Sequence, residues 1–291
     1  MTSIHPFCLE RLNSIEGDSP TIDILRAVVL GVICSIAVGL SVVAPAQELL
    51  RDARASFYNA RYEHAAALTL DLCAADDFEA CELRSSALLF ELKRAIGDPK
   101  DRDKAFKACE TCPSLLQAFL RDTARGQAAA RARLRTDDKD EAALYLLGKL
   151  DLNYVWMRAG TLGEKSGWNE YWEARRSLDA VLKRNPDHVR AKVARAWIDY
   201  IVDTRLPRGT RWVLGGGSKK KALTALREAA KADADVFASA EARFGLWDML
   251  VREKNLTEAV AVARALADDF PTNTDLPKFL LAHDPTYTHP D

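Results

Sequence analysis

The sequence predicts an all-α protein built from pairs of helices. The chain of 291 residues is 48% hydrophobic, and only 14 glycines and 11 prolines punctuate it. No segment sustains the alternation of apolar and polar residues that half-buried strands show. Instead, one short signature recurs four times: an alanine, mostly apolar residues four and seven positions later, and then a helix stop. Such recurrence is typical of helix–turn–helix repeats.

The signature has a direct physical meaning. Steps of four and seven place side chains on one face of a helix, and the small first residue lets a neighbouring helix come close. The four copies with their stops are Ala65, Thr69 and Leu72 before Asp76; Ala174, Leu178 and Val181 before Pro186; Ala222, Leu226 and Ala229 before Asp233; and Ala259, Ala263 and Leu266 before Pro271. We expect these residues to form the contacts between repeats.

About eleven helices are predicted from the apolar periodicity and the breaks between periodic segments. Glycine and proline end the third helix at residues 97–99, Gly126 interrupts the fifth, and Ser218 is a good N-cap for the ninth. The predicted helices are 48–59, 61–74, 80–96, 101–110, 114–135, 141–158, 168–184, 187–203, 218–231, 236–253 and 257–269. The helical domain is thus expected to span residues 47–275, followed by a C-terminal tail at 276–291.

The N-terminal region predicts export. Residues 27–46 form an uncharged, mostly apolar run that ends in Ala44-Pro45-Ala46, a small-residue motif typical of signal-peptide cleavage. An uncleaved inner-membrane anchor at 27–46 is the alternative, because that length can just span a bilayer. Acidic residues dominate before the run, which is unlike a leader, so we interpret residues 1–24 as a start-site artefact. The rest of the chain is expected to be periplasmic or secreted.

Four cysteines follow the leader: Cys73, Cys81, Cys109 and Cys112. An even number in an exported protein predicts structural disulfides. Pairing 81–112 with 73–109 and the local pairing 73–81 with 109–112 both remain open. A zinc site is the alternative, since the second pair has C-x2-C spacing. Redox catalysis and haem attachment are not expected, because the second pair closes a helix and Pro113 follows it.

Three segments carry a resemblance to the tetratricopeptide repeat family. Tyr171-Trp172-Glu173-Ala174 through Asn185-Pro186-Asp187 resembles the second helix of such a repeat, and Leu147-Gly148 occupies the Leu-Gly position of its first helix. The stretch from Phe57 to Leu70 is similar to the turn between the two helices. The resemblance implies a right-handed solenoid whose concave face binds other proteins, without chemistry of its own.

A second, shorter resemblance lies between residues 206 and 222. Leu206-Pro207 followed by the run from Leu214 to Ala222 (LGGGSKKKA) is similar to a segment of the T component associated with some TRAP transporters. Those proteins are periplasmic and tetratricopeptide-like. The resemblance implies a small, partly apolar ligand handled beside a transporter's binding protein.

An aromatic and basic zone between residues 156 and 221 is the predicted contact surface, because aromatic residues near adaptable loops are typical of binding surfaces. Its candidate residues are Trp156, Trp168, Trp172, Arg205, Arg208, Arg211, Trp212 and Lys219. Three glycines lead to Ser218, and the helix that starts there is expected to present free backbone N–H groups to an anion. The alternatives are that the glycines form a long turn and that the aromatic rings fill the core.

Several function classes are disfavoured. With 41 basic and 42 acidic residues the net charge is −1, so no overall field favours nucleic acid. The five histidines are scattered, and no common hydrolase or metal motif occurs. We therefore expect a protein without catalysis, cofactor or metal. It would be a scaffold for a protein or peptide partner or, alternatively, a ligand-binding accessory of a transport system that takes a small apolar or anionic ligand.

Overall fold

A computed structural model describes residues 45–97, 99–205 and 214–288 of the chain. Within these ranges every regular element is helical, so the predicted all-α class is confirmed. The described helices are α1 (45–58), α2 (Tyr62–Leu68), α3 (Leu70–Ala74), α4 (Phe78–Ile96), α5 (Arg102–Ala108), α6 (Cys112–Thr136), α7 (Glu141–Val155), α8 (Trp168–Arg184), α9 (Val189–Arg205), α10 (Lys219–Lys231), α11 (Val236–Arg252), α12 (Leu256–Asp269) and α13 (Asp275–His283). A π-helical segment, Trp156–Leu162, continues α7.

A compact unit runs from Leu49 to Asp291. The described residues before it, 45–48, are helical. The predicted leader at 27–46 lies almost wholly outside the described residues. Among the residues that are described, no helix is both long enough and apolar enough to cross a membrane.

Two helices differ from the sequence prediction for identifiable reasons. The expected helix at 61–74 is divided into α2 and α3 at Thr69, whose hydroxyl donates to the carbonyl of Ala65 over 2.9 Å. Gly126 does not interrupt α6. A Cβ on Gly126 would lie 2.7 Å from Cys81 Cβ and 2.9 Å from Leu150 Cδ1. Glycine is therefore needed there so that α4, α6 and α7 can approach one another.

The helical part of the chain extends beyond the predicted boundary at residue 275. Residues Asp275–His283 form α13, and its Leu276 and Leu280 are fully buried together with Tyr58 and Phe270. The segment after 275 was expected to be a C-terminal tail. Its two leucines, four positions apart, are nevertheless enough to bury one face of a short helix.

Aspartate and serine caps fix where several helices begin. The carboxylates of Asp77, Asp101, Asp140 and Asp235 accept hydrogen bonds from backbone amides in the first turns of α4, α5, α7 and α11. Ser218 caps α10, as predicted, by accepting from the amide of Lys221 over 3.3 Å. These bonds satisfy amides that have no partner within their own helix.

The helices pack mainly against their neighbours in the sequence, as the pairs α7–α8, α9–α10 and α11–α12. Of the twelve residues in the four copies of the signature, Leu72 is half-buried and the other eleven are buried: Ala65, Thr69, Ala174, Leu178, Val181, Ala222, Leu226, Ala229, Ala259, Ala263 and Leu266. Pro186 and Pro271 lie exposed in the turns that follow α8 and α12. The right-handed solenoid arrangement itself stays a prediction.

Contacts also join the first helix to the last ones. The ring of Tyr58 on α1 stacks against Phe244 of α11 at 5.6 Å between centroids. The side-chain amide of Asn273, just before α13, donates to the Tyr58 carbonyl over 2.7 Å. The two ends of the helical unit are therefore in direct contact.

The cysteines form the local pairs. Cys73 is bonded to Cys81 and Cys109 to Cys112, with Cα atoms 4.6 and 5.4 Å apart. The alternative pairing 81–112 with 73–109 is thus not the one found. No group of three or more potential metal ligands occurs among the described residues. Two disulfides are compatible with an oxidising compartment.

Candidate ligand cavity

Four helices surround a cavity of about 520 Å³. They are α4, α7, α9 and α11, of which the last three are the first members of helix pairs. Residues of α1 and the turn before α13 complete the wall. The volume lies in the range that suits a small organic molecule.

The four helices line the cavity with the same spacing. Each helix contributes a charged residue, a small residue four positions after it and another lining residue seven positions after it. This spacing places all three on one face of the helix. The sets are Glu82, Ser86 and Leu89; Lys149, Asn153 and Trp156; Arg190, Ala194 and Trp197; and Glu241, Gly245 and Asp248. The cavity is therefore layered along the helix axes.

The charged residues form one closed cluster, here called the charge layer (Glu82, Lys149, Arg190 and Glu241). The Lys149 ammonium lies 2.7 Å from Glu241 and 3.9 Å from Glu82. The Arg190 guanidinium lies 2.6 Å from Glu241 and 3.5 Å from Glu82. Two cations and two carboxylates thus neutralise one another.

The electrostatics of Glu241 show how strongly this layer is coupled. Burial alone would raise the pKa of its carboxyl group. The neighbouring Lys149 and Arg190 outweigh that effect and lower the pKa to about 2. Glu241 therefore stays ionised at physiological pH, although little of its side chain reaches solvent.

The small residues of the next layer let neighbouring helices approach closely. A Cβ on Gly245 would lie 3.3 Å from both Trp197 Nε1 and Val193 Cγ1, so a larger residue there would crowd α9. The amide of Asn153 donates to the hydroxyl of Ser86 over 2.9 Å, and Ser86 donates to Glu82 over 2.8 Å. This polar chain connects the small layer to the charge layer.

Aromatic rings form the apolar wall. Trp156 meets Trp197 edge to face at 6.0 Å, and Phe57 meets Phe90 in the same manner at 5.5 Å. Phe90 is 39% exposed, which is unusual for so large an apolar side chain, and it lines the cavity. Such a wall can bury the flat or aliphatic body of a ligand.

Charged residues also line the cavity beyond the aromatic rings, and they are here called the rim (Lys93, Arg94, Asp248, Arg252 and Asp275). Arg94 lies 2.8 Å from Asp275, and Arg252 lies 2.9 Å from Asp248. The Lys93 ammonium sits above the ring of Phe90, 4.9 Å from its centroid. Burial lowers the pKa of Lys93, which Arg252 lowers further and Asp248 partly restores.

A second depression of about 760 Å³, here called the groove, lies where α4, α7, α9 and α11 begin. Arg190 lines both the groove and the cavity. His188 is half-buried in the groove, its ring 4.9 Å from that of Tyr145. Tyr145 thus covers one side of the His188 ring. Burial lowers the His188 pKa.

The described members of the predicted contact set lie in different surroundings. Trp156 lines the cavity, whereas Trp172 packs against Tyr171 at 5.3 Å and Trp168 is 53% exposed. Lys219 pairs with Glu253 at 2.6 Å. Arg208, Arg211, Trp212 and the side chain of Arg205 lie outside the described part of the structure.

The amino-terminal end of α10 is occupied by the protein's own groups. The amide of Lys219 donates to Asp203 over 2.8 Å, and that of Lys221 donates to Ser218. The Arg175 guanidinium holds the preceding glycine segment by donating to the carbonyls of Leu214 and Gly215 over 2.9 and 2.8 Å. Two of the amides considered for an anion are thus already bonded.

Sequence reasoning missed most of the cavity, above all the charge layer, Phe90 and Lys93. The sequence did contain a signal. In each of four helices, a charged residue is followed four positions later by a small residue and seven positions later by another residue that lines the cavity. Comparison of the chain with models of protein families, with curated proteins and with solved structures gave no match.

Proposed function

We propose that this protein binds a small amphipathic ligand in the cavity, without chemical conversion. The layered cavity of about 520 Å³ carries this proposal. The aromatic wall offers apolar surface for the body of a ligand. The Ser86–Asn153 pair, the charge layer and the rim offer polar groups for the ends of the ligand. Mostly apolar walls with a few convergent polar groups are typical of ligand sites.

The contact between the first and last helices favours a small ligand over an extended peptide. A long peptide could bind along an open concave face, as it does in helical repeat proteins. Here Tyr58 packs on Phe237 and Phe244 of α11, and Asn273 bonds to the Tyr58 backbone, so the surrounding wall is continuous between α1 and α11. A compact molecule fits such an enclosure better than a chain.

The biological setting that we propose is an exported accessory of a transport system. The predicted signal peptide, the two disulfides and the short resemblance to the T component of TRAP transporters support this setting. In it, the protein would hold a ligand near a transporter rather than act on it.

A scaffold that binds a protein partner is the second proposal. The groove favours it, since it is open and lies at the amino-terminal ends of four helices. A pull-down with the intact mature protein tests it: one specific partner, lost on substitution of Tyr145, is expected. Recovery of the same proteins with and without that substitution would contradict it.

Native mass spectrometry tests ligand binding directly. Protein purified gently from its own host should carry a small molecule that denaturation releases. The matched variant is Gly245→Leu, at a lining residue whose added side chain would crowd Trp197 and Val193, and it should purify without the molecule. Bare protein in both samples would argue against the proposal, provided that both melt cooperatively.

A further inference from the structure

We propose that the cavity selects a monoanionic amphipathic molecule, with Lys93 as the counter-ion of the anionic group. This inference rests on the proposed ligand-binding function and specifies the chemical class of the ligand. The occupant is a small molecule that carries one carboxylate or comparable anion at one end of an apolar body.

The argument begins with the charges around the cavity. Six cationic side chains line it: Arg54, Lys93, Arg94, Lys149, Arg190 and Arg252. Five of them have a carboxylate within ion-pair distance, namely Glu79, Asp275, Asp248 or the two glutamates of the charge layer. For Lys93 no carboxylate of the described residues lies within that distance. One positive charge is thus left over.

The carboxylate with the strongest influence on Lys93 is already engaged. Asp248 lines the cavity together with Lys93 and raises the pKa of the Lys93 ammonium. Both of its oxygens, however, accept hydrogen bonds from Arg252, over 2.9 and 3.1 Å. Arg252 thus holds Asp248 in a bidentate pair. Lys93 therefore keeps donor capacity for another anion.

The surroundings of Lys93 strengthen its attraction for an anion. The ammonium sits above the ring of Phe90, 4.9 Å from its centroid, so the negative face of the ring replaces water on one side of the cation. A partly desolvated cation gains more from a counter-ion than one in bulk water. An anion bound there would stand beside the aromatic wall.

The apolar body of the ligand would lie along that wall. From Lys93, the cavity continues past Phe90, Trp156 and Trp197 towards the small residues and the charge layer. Because the charge layer is neutral as a whole, it favours no second anionic group. The arrangement therefore matches one anionic end and one apolar body, rather than a dianion or a cation.

The test uses two probes that have the same shape and differ in charge, 2-naphthoate and its neutral amide, 2-naphthamide. Their affinities for the full mature protein are measured at pH 7 by calorimetry and by the fluorescence of the cavity tryptophans. We expect 2-naphthoate to bind at least about tenfold more tightly, the effect of one charge-assisted contact.

Variants then assign the preference to Lys93. Lys93→Met should reduce the affinity for 2-naphthoate to that for the amide, and Lys93→Arg should retain most of the difference. The control is Lys183→Met, at an exposed lysine on α8 that does not line the cavity, and it should change neither affinity. Thermal melting checks that each variant folds, and the comparison of probes on the unmodified protein needs no variant.

Three outcomes would overturn the inference. Equal affinities for the two probes, both abolished by Gly245→Leu, would refute the anion preference and leave the ligand-binding function standing. An unchanged preference in Lys93→Met would remove Lys93 from the site. Failure of both probes to bind would also refute the inference, and native mass spectrometry would then decide separately whether the cavity holds any ligand.

Discussion

The side-chain amide of Asn273 donates a hydrogen bond to the backbone carbonyl of Tyr58 across 215 positions of the chain. The Asn273 carbonyl oxygen also accepts from the amides of Asp275 and Leu276, over 2.9 and 3.1 Å. One buried side chain thus starts α13 and attaches it to the end of α1. This contact completes the cavity wall.

Replacing Asn273 by alanine should destabilise the protein by about 2–3 kcal/mol, because it leaves three backbone groups without their partner, and two of the lost hydrogen bonds are buried. Urea unfolding followed by circular dichroism measures the change. Asn255→Ala is the matched control, since the Asn255 amide makes one bond, to Glu258 over 2.8 Å. Equal losses in the two variants would contradict a special role for Asn273.

The charge layer should be sensitive to the loss of one carboxylate. Glu241→Gln leaves Lys149 and Arg190 with insufficient negative charge in a buried place, so we expect a loss of about 3 kcal/mol. Glu258→Gln removes a carboxylate from the more exposed pair with Arg227 and should cost less than about 1 kcal/mol. Chemical unfolding of both variants at the same ionic strength tests this contrast. Similar losses would show that burial does not set the strength of the layer.

Asp151 should make stability depend on pH. Burial raises its pKa from 3.8 to about 8, with a further contribution from Glu173, while Arg131 and Gln127 oppose the shift. At a pH between these two values, the carboxyl group is protonated in the folded protein and ionised in the unfolded chain. The contribution of Asp151 to the free energy of unfolding therefore falls as the pH rises from about 4 to about 8.

The variant Asp151→Asn keeps the shape of the protonated acid and removes this dependence. We expect it to be more stable than the natural protein at pH 9 and equally stable at pH 4, as measured by urea unfolding across that range. The low pKa of Glu241 acts in the other direction, but its effect is confined to more acidic solution and is common to both proteins. A constant difference at all pH values would refute the assignment.

Gly126→Ala should destabilise the protein although alanine is the better helix former. The added Cβ would lie 2.7 Å from Cys81 Cβ, and crowding of this kind costs about 1–3 kcal/mol. The control is Ala124→Ser at an exposed position of α6, for which we expect a change within about 0.5 kcal/mol. Thermal unfolding measures both. A more stable Gly126→Ala protein would mean that α4 and α7 can move away from α6 at little cost in free energy.

Peptide mapping without reduction checks the disulfides. Cleavage after Glu79 and Glu110 should leave pairs of peptides joined through Cys73–Cys81 and through Cys109–Cys112. A peptide that joins Cys81 to Cys112 would contradict the structure. Loss of the first bridge in Cys73→Ala/Cys81→Ala should lower stability by about 2–3 kcal/mol.

The sequence by itself determined the features that depend on near neighbours along the chain. Periodic apolar residues specify helices, and Ser218 specifies the start of α10, because these effects act within one or two turns. Asp248 and Arg252, four positions apart on α11, form such a local pair. Spacing alone does not settle every partner, because Asp179 lies four positions before Lys183 and yet is 2.7 Å from Arg195 on the next helix.

Only the tertiary structure decided the cavity. Lys149 and Glu241 are 92 positions apart in the chain and yet form one ion pair. No local sequence pattern around either residue predicts this pairing. The same is true of the pairing of the cysteines and of the contact between α1 and α13. Such features depend on how whole helices pack, and packing is set by the sum of many contacts rather than by any local pattern.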